Sequence, residues 1–87
     1  MVKYSITFKR EAIKDLKSIP SKTAHKIGTV ITELAENPRP PGCKKLVGKQ
    51  TNFWRIRIGD YRVIYVIDDE IRIVNIRKIG HRKDIYE

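Results

Sequence analysis

Cysteine is almost missing from this 87-residue chain, with Cys43 its single example. One thiol forms no internal disulfide and no paired-cysteine metal site, so a reducing cytosol is the expected setting. Long apolar runs are missing too. The opening MVKYSITF alternates apolar and polar residues, but Lys3 interrupts it and it is too short for a signal-peptide core or a membrane span. The chain is therefore expected to remain cytoplasmic, where it is made, with no membrane-spanning segment. Glycine-rich phosphate loops, nucleophile elbows and Cys/His clusters do not occur. An enzyme built on this sequence would work with no metal and no cofactor. Acidic residues are scarce as well: 10 Asp and Glu stand against 19 Lys and Arg, a net charge of +9. Such a field draws polyanions. Nucleic acid, an anionic membrane or an acidic protein would each satisfy it, so the choice falls to local placement.

What is present reads as one domain over residues 1–87, with no internal repeat, low-complexity tract or linker. A chain of this length buries roughly 60–65% of its unfolded surface, enough for one modest core. Val2, Tyr4, Ile6 and Phe8 alternate with polar residues, the period of a half-buried first strand. From Lys9 to about Ser18 the spacing becomes helical, with Ala12, Ile13 and Leu16 on one side, and Pro20 ends that helix. Ser21 is placed to cap a second helix that runs to about Glu36, its stripe formed by Ala24, Ile27, Ile31, Leu34 and Ala35. Residues 37–50 read as a surface loop carrying Arg39, Lys44, Lys45 and Lys49. Three strands follow, about Phe53 to Ile58, Tyr61 to Ile67 and Ile71 to Lys78, joined by short turns into an antiparallel meander. The order βααβββ predicts a small two-layer α+β fold, a twisted antiparallel sheet with the N-terminal helical hairpin packed on one face.

The stretch NFWRIRIGDYRVIYVI carries the chemistry. With Gly59 and Asp60 as a two-residue turn, Trp54, Ile56, Ile58, Tyr61, Val63 and Tyr65 share one side, and Phe53, Arg55, Arg57, Arg62, Ile64 and Val66 the other. That register sets Arg57 opposite Arg62, and like charges so paired destabilise a sheet. The repulsion calls for an offsetting role. Arginine forks bind phosphate oxygens bidentately and stack on bases, and aromatic rings such as Phe53 hold unpaired RNA bases. His81, Arg82 and Tyr86, close to the chain end, are expected near this cluster. Arg55, Arg57, Phe53, Lys45 and Lys49 make up the candidate RNA- or phosphate-binding set. Lys14, Lys17 and Lys22 read as solubilising charge on the helices, and His25 as a surface residue away from its helix's apolar stripe.

Across nearly its whole length the chain resembles the RelE branch of the RelE and ParE toxin superfamily. The resemblance rests on YSITFKREAIKDLKSIP, NPRPPGCKKLVG, FWRIRIGDYRVIYVI and the terminal GHRKDIY, the last two being the most diagnostic. It implies a ribosome-dependent endoribonuclease that cleaves mRNA in the ribosomal A site, in contact with 16S rRNA, and that inhibits translation. It also implies a cognate antitoxin, and DNA contact only through the toxin–antitoxin complex. Carried over by motif, Arg55 and Arg57 are the basic pair, Arg62 the arginine of GDYR, and Arg82 and Tyr86 the terminal arginine and tyrosine. The implied reaction is attack of a ribose 2′-hydroxyl on the adjacent phosphorus, giving a 2′,3′-cyclic phosphate. Arg62 and Arg82 would then clamp the phosphate, with His81 or Tyr86 as the proton carrier. Arginines stand here where the best-studied members have a lysine pair, and His81 where they have another basic residue, so the base stays open between the two. A gyrase poison of the ParE branch and a non-catalytic basic module that binds RNA or protein are the alternative readings.

Overall fold

The computed structural model describes residues 3–46 and 52–81. The chain begins with strand β1 (Ser5–Phe8), followed by helices α1 (Arg10–Lys17) and α2 (Ser21–Glu33). Strands β2 (Lys44–Lys45), β3 (Phe53–Ile58), β4 (Tyr61–Asp68) and β5 (Ile73–His81) complete it. They form one sheet in the order β1-β5-β4-β3-β2. The two-layer α+β architecture is the one read from the sequence. Its sheet is mixed, however, because β1 pairs with β5 in parallel. The helical hairpin carries the chain from one edge of the sheet to the other, and the meander then walks back to β1. A connection of that length allows a parallel pair, which a tight hairpin does not.

Several boundaries differ from the pattern reading, each for a local reason. The expected loop over residues 37–50 contains β2, where Lys44 and Lys45 pair with Arg55 and Trp54. Ser21 is the first helical residue rather than the cap: Pro20 holds the cap position in an extended conformation, and its carbonyl accepts the Ala24 N–H at 2.9 Å. Helix α2 stops at Glu33, and the chain leaves through tighter turns that include the Ala35 N–H to the Thr32 carbonyl. Ile13, counted with the apolar side of α1, is 43% exposed, whereas Ala12 is fully buried. The last strand starts at Ile73, after Arg72 takes a left-handed φ of 54°. Gly59, with φ 59°, opens the β3–β4 turn; positive φ at the first turn residue alone is the type II′ arrangement, which matches strand twist.

The core lies between the helices and one side of the sheet. Ala12, Ile27 and Ile31 from the helices and Leu34 just after α2 meet Ile56, Val63, Tyr65, Val74, Ile76 and Ile79 from the strands. Tyr65 is fully buried, and its hydroxyl donates to the Pro38 carbonyl at 2.8 Å, pinning the chain after α2 to the sheet. Burial pushes that phenol well above its ordinary pKa. At the far end Arg39 forks onto Asp69 at 2.8 and 3.2 Å, Tyr4 donates to the same carboxylate at 2.6 Å, and the Arg39 guanidinium lies 5.1 Å from the centre of the Trp54 ring. The arginine and the tyrosine together lower the Asp69 pKa from 3.8 to about 2.

Candidate functional site

Strand pairing assigns each side chain of the sheet to the helix-covered face or to the other one, which is open in the sense that neither helix lies on it. Arg57 pairs with Arg62, as the two-residue turn predicts, and Arg62 pairs with Gly80. One step along, Lys44, Arg55, Ile64 and Lys78 form a row across four strands. A further step gives Phe53, Val66, Asn75 and Thr7. All three rows lie on the open face. The first two hold five cations and no acidic side chain. Unit charges about 6 Å apart at near-aqueous dielectric repel by roughly 1 kcal/mol, and this arrangement repeats the repulsion across strands. A bound phosphate reverses its sign.

Exposure divides the arginines. Arg57 is exposed and Arg62 half-buried, so both can present their forks to a ligand. Arg55 is only 5% exposed, beside Ile64 at 6%. A guanidinium so enclosed acts on a phosphate through its field more than through a bidentate grip.

Other candidates separate. Lys45 pairs with Trp54 and so belongs to the opposite face, whereas Lys44 joins the Arg55 row. His81 pairs with Tyr61 on the helix side, their rings edge-on at 5.5 Å. The two rings help line a cleft of about 280 Å³ with Asp15, Ser18 and Ile19. Asp15 also holds the sheet there: beyond Ile76, β5 has no strand neighbour on that side among the described residues, and the Asp15 carboxylate accepts the Ile79 N–H at 3.0 Å. His81 thus sits at the same end of the sheet as Arg57 and Arg62, on its other face. Lys49, Arg82 and Tyr86 lie outside the described residues.

A bulge in β5 explains the position of His81. Ile64 pairs with Lys78 and Tyr65 with Ile76, which leaves Arg77 as an extra residue and reverses the alternation from there onward. Ile79 and His81 turn toward the helices as a result. Lys44, Arg77 and Lys78 are the basic residues that pattern reading overlooked on this face. Their signal was present in part, since the apolar positions Val74, Ile76 and Ile79 change spacing from two to three.

Residues 6–86 match the family model of the ParE toxin of type II toxin–antitoxin systems, parDE. The chain is 35% identical over 89 residues to RelE1 of Methanocaldococcus jannaschii, covering 99% of this chain and 98% of that protein. Its fold superposes on a chain of the toxin–antitoxin complex RelBE2 from Mycobacterium tuberculosis with a TM-score of 0.83, at 29% identity over 93% of this chain and 100% of the other. It also superposes on a chain of the archaeal RelE–RelB complex from Pyrococcus horikoshii with a TM-score of 0.81, at 27% identity over 98% and 100%. The protein belongs to the RelE/ParE toxin superfamily and is the toxin of a toxin–antitoxin pair.

Proposed function

We propose that this toxin is a ribosome-dependent endoribonuclease of the RelE type, which stops translation by cutting mRNA in the ribosomal A site. The observation that carries this reading is the opposed Arg57 and Arg62 pair on an open sheet face with no acid in its basic rows. A purely structural strand pair gains nothing from that repulsion, whereas a dianionic phosphorane gains two donors already in position. The likeness to RelE1 and to chains of RelB-containing complexes supports the same reading.

In the proposed reaction a ribose 2′-oxygen attacks the neighbouring phosphorus and the 5′-oxygen leaves, forming a 2′,3′-cyclic phosphate and a free 5′-hydroxyl. Arg62 and Arg82 hold the non-bridging oxygens, Arg57 and Arg55 raise the positive field, and Phe53 and Lys49 contact the RNA. Lys45 would touch RNA or rRNA only along the edge of the sheet, since its row belongs to the other face. Tyr86 or His81 moves the proton. His81 can serve only an RNA that turns around the end of β4 and β5. The partners are the ribosome with its mRNA and a RelB-like antitoxin that brings acidic groups to the basic face; DNA is met only through the toxin–antitoxin complex. The cytoplasm is the compartment this activity requires, and among the described residues no helix is long and apolar enough to cross a membrane.

The ParE description of the matching family model favours a second reading, a gyrase poison. A translation assay with mapped mRNA ends separates the two. New 5′-hydroxyl ends at codons in the A site, reduced in Arg62→Ala, support the nuclease. Accumulation of gyrase-cleaved DNA with mRNA intact replaces it with the gyrase reading.

A further inference from the structure

Arg77 is not part of the RNase assignment above, yet a hydrogen bond and an aromatic contact orient it on the open face. It is the extra residue of the β5 bulge. Its guanidinium carbon lies 5.6 Å from the centre of the Phe53 ring, and its Nη1 donates to Asn75 Oδ1 at 3.3 Å. Asn75 in turn donates through Nδ2 to Thr7 Oγ1 at 2.9 Å. Phe53 stands on β3, two strands from β5, so about 10 Å separates the two backbones. To reach the ring, the Arg77 side chain must lie across β4 on the open face, above the positions of Ile64 and Val66. Ile64 is 6% exposed on a face the helices do not cover. The connected series Thr7, Asn75, Arg77, Phe53 braces a flat cation against an aromatic ring.

Covering Ile64 needs only an apolar side chain. An arginine here adds another charge to a face already crowded with them, so its plane and donors call for a ligand. The two stacking surfaces that proteins offer an unpaired base are aromatic rings and guanidinium planes, and both stand together at this point. Phe53 lies four residues from Arg57 along one strand, about 13 Å. A base held at Phe53 and a phosphate held at Arg57 and Arg62 would thus belong to different nucleotides of one strand.

We propose that Arg77 and Phe53 form a platform for an unpaired RNA base flanking the cleaved bond, with Arg77 determining which bases are accepted there. This rests on the endoribonuclease reading and deepens it. Stacking of this kind is sequence-tolerant but graded by ring area, so purines are accepted better than pyrimidines.

The test uses the full-length toxin and two fluorescent six-nucleotide single-stranded RNAs, one complete and one carrying abasic sites at every position. The variants are Arg77→Met, which keeps an apolar stem over Ile64, Arg77→Lys, which keeps the charge, and Phe53→Leu. Each is expected to bind the complete RNA about tenfold more weakly, as loss of one stacked base requires, and the abasic RNA within about twofold of the parent for Phe53→Leu and Arg77→Lys. In mapped translation reactions Arg77→Met and Arg77→Lys are expected to lose the purine preference beside the cut while still cutting, and Phe53→Leu to lose the preference together with part of the cleavage. The platform is overturned if Arg77→Lys binds both RNAs like the parent, if the parent does not distinguish the two RNAs, or if Arg77→Met weakens only the antitoxin complex. Base-dependent binding by a parent that leaves mRNA intact would instead overturn the cleavage reading and keep the platform; cleavage with base-independent binding would do the reverse.

Discussion

The two faces of this sheet are made by the same strands and obey opposite rules. On the helix side, Ile56, Val63, Tyr65, Val74, Ile76 and Ile79 close against Ile27, Ile31 and Leu34, and the one buried hydroxyl among them finds a carbonyl. On the open side, alternate residues of the same strands are Arg55, Arg57, Arg62 and Lys78, where like charges stand opposite or next to one another across the strands. The first face accounts for why the chain folds, and the second uses part of that stability to hold cations together ahead of a ligand. Because the alternation is unbroken in β3 and β4, that strand pair serves both ends with no extra structure.

This division is tested most severely by Leu34→Ala, which opens a cavity at a fully buried side chain where α2 ends. It is expected to lower the unfolding free energy by about 2–5 kcal/mol in a denaturant titration, and a loss below about 1 kcal/mol would mean that the helix side is not what holds the fold. Arg62→Ala is expected to act the other way. Messenger cleavage in a translation assay should fall about 10²- to 10³-fold, while stability moves by less than about 1 kcal/mol, because the repulsion relieved by removing one of two opposed charges offsets the contacts the side chain makes. A stability loss comparable to that of Leu34→Ala would erase the distinction between the faces. Between these lies Asp15→Ala, which removes the acceptor of the Ile79 N–H at the unpaired part of β5. We expect a loss of about 1–3 kcal/mol, together with faster hydrogen exchange at the Ile79 amide; unchanged exchange would show that this carboxylate is not what secures the end of the strand.

The smallest effect belongs to the exposed cluster of Arg39, Tyr4 and Asp69. The Asp69 carboxyl titrates near 2 in the folded chain against 3.8 ordinarily. A lowered folded pKa favours the native state above the unfolded value, and that contribution disappears as pH falls from about 4 toward about 2. The melting temperature of the parent should therefore drop further over that interval than that of Asp69→Asn. Equal slopes would show that solvent screening cancels the network.

Much of the hairpin was legible in advance because its information is local. A glycine able to take positive φ, followed by alternating residues, sets the register of β3 and β4, and with it the meeting of Arg57 and Arg62. The apolar stripe of α2 follows from helical periodicity in the same way, while Ile13 shows its limit: a residue counted with the apolar side of a short helix remains 43% exposed, and only Ala12 of that helix is buried. Strand β2 was hidden because two lysines form a strand only when Arg55 and Trp54 offer them an edge.

The sequence by itself determined the composition of the two faces, since an alternation of period two around a tight turn permits only one sorting of Trp54, Ile56 and Ile58 from Arg55 and Arg57. It also determined the charge that makes an anion the natural ligand. Tertiary structure alone decided which cations meet. A single extra residue at Arg77 reverses the second half of β5, carrying His81 to the helix side and laying Arg77 across β4 to Phe53. A bulge is a relation between two strands, chosen by how Ile76 and Ile79 both reach the core, and no residue encodes it on its own.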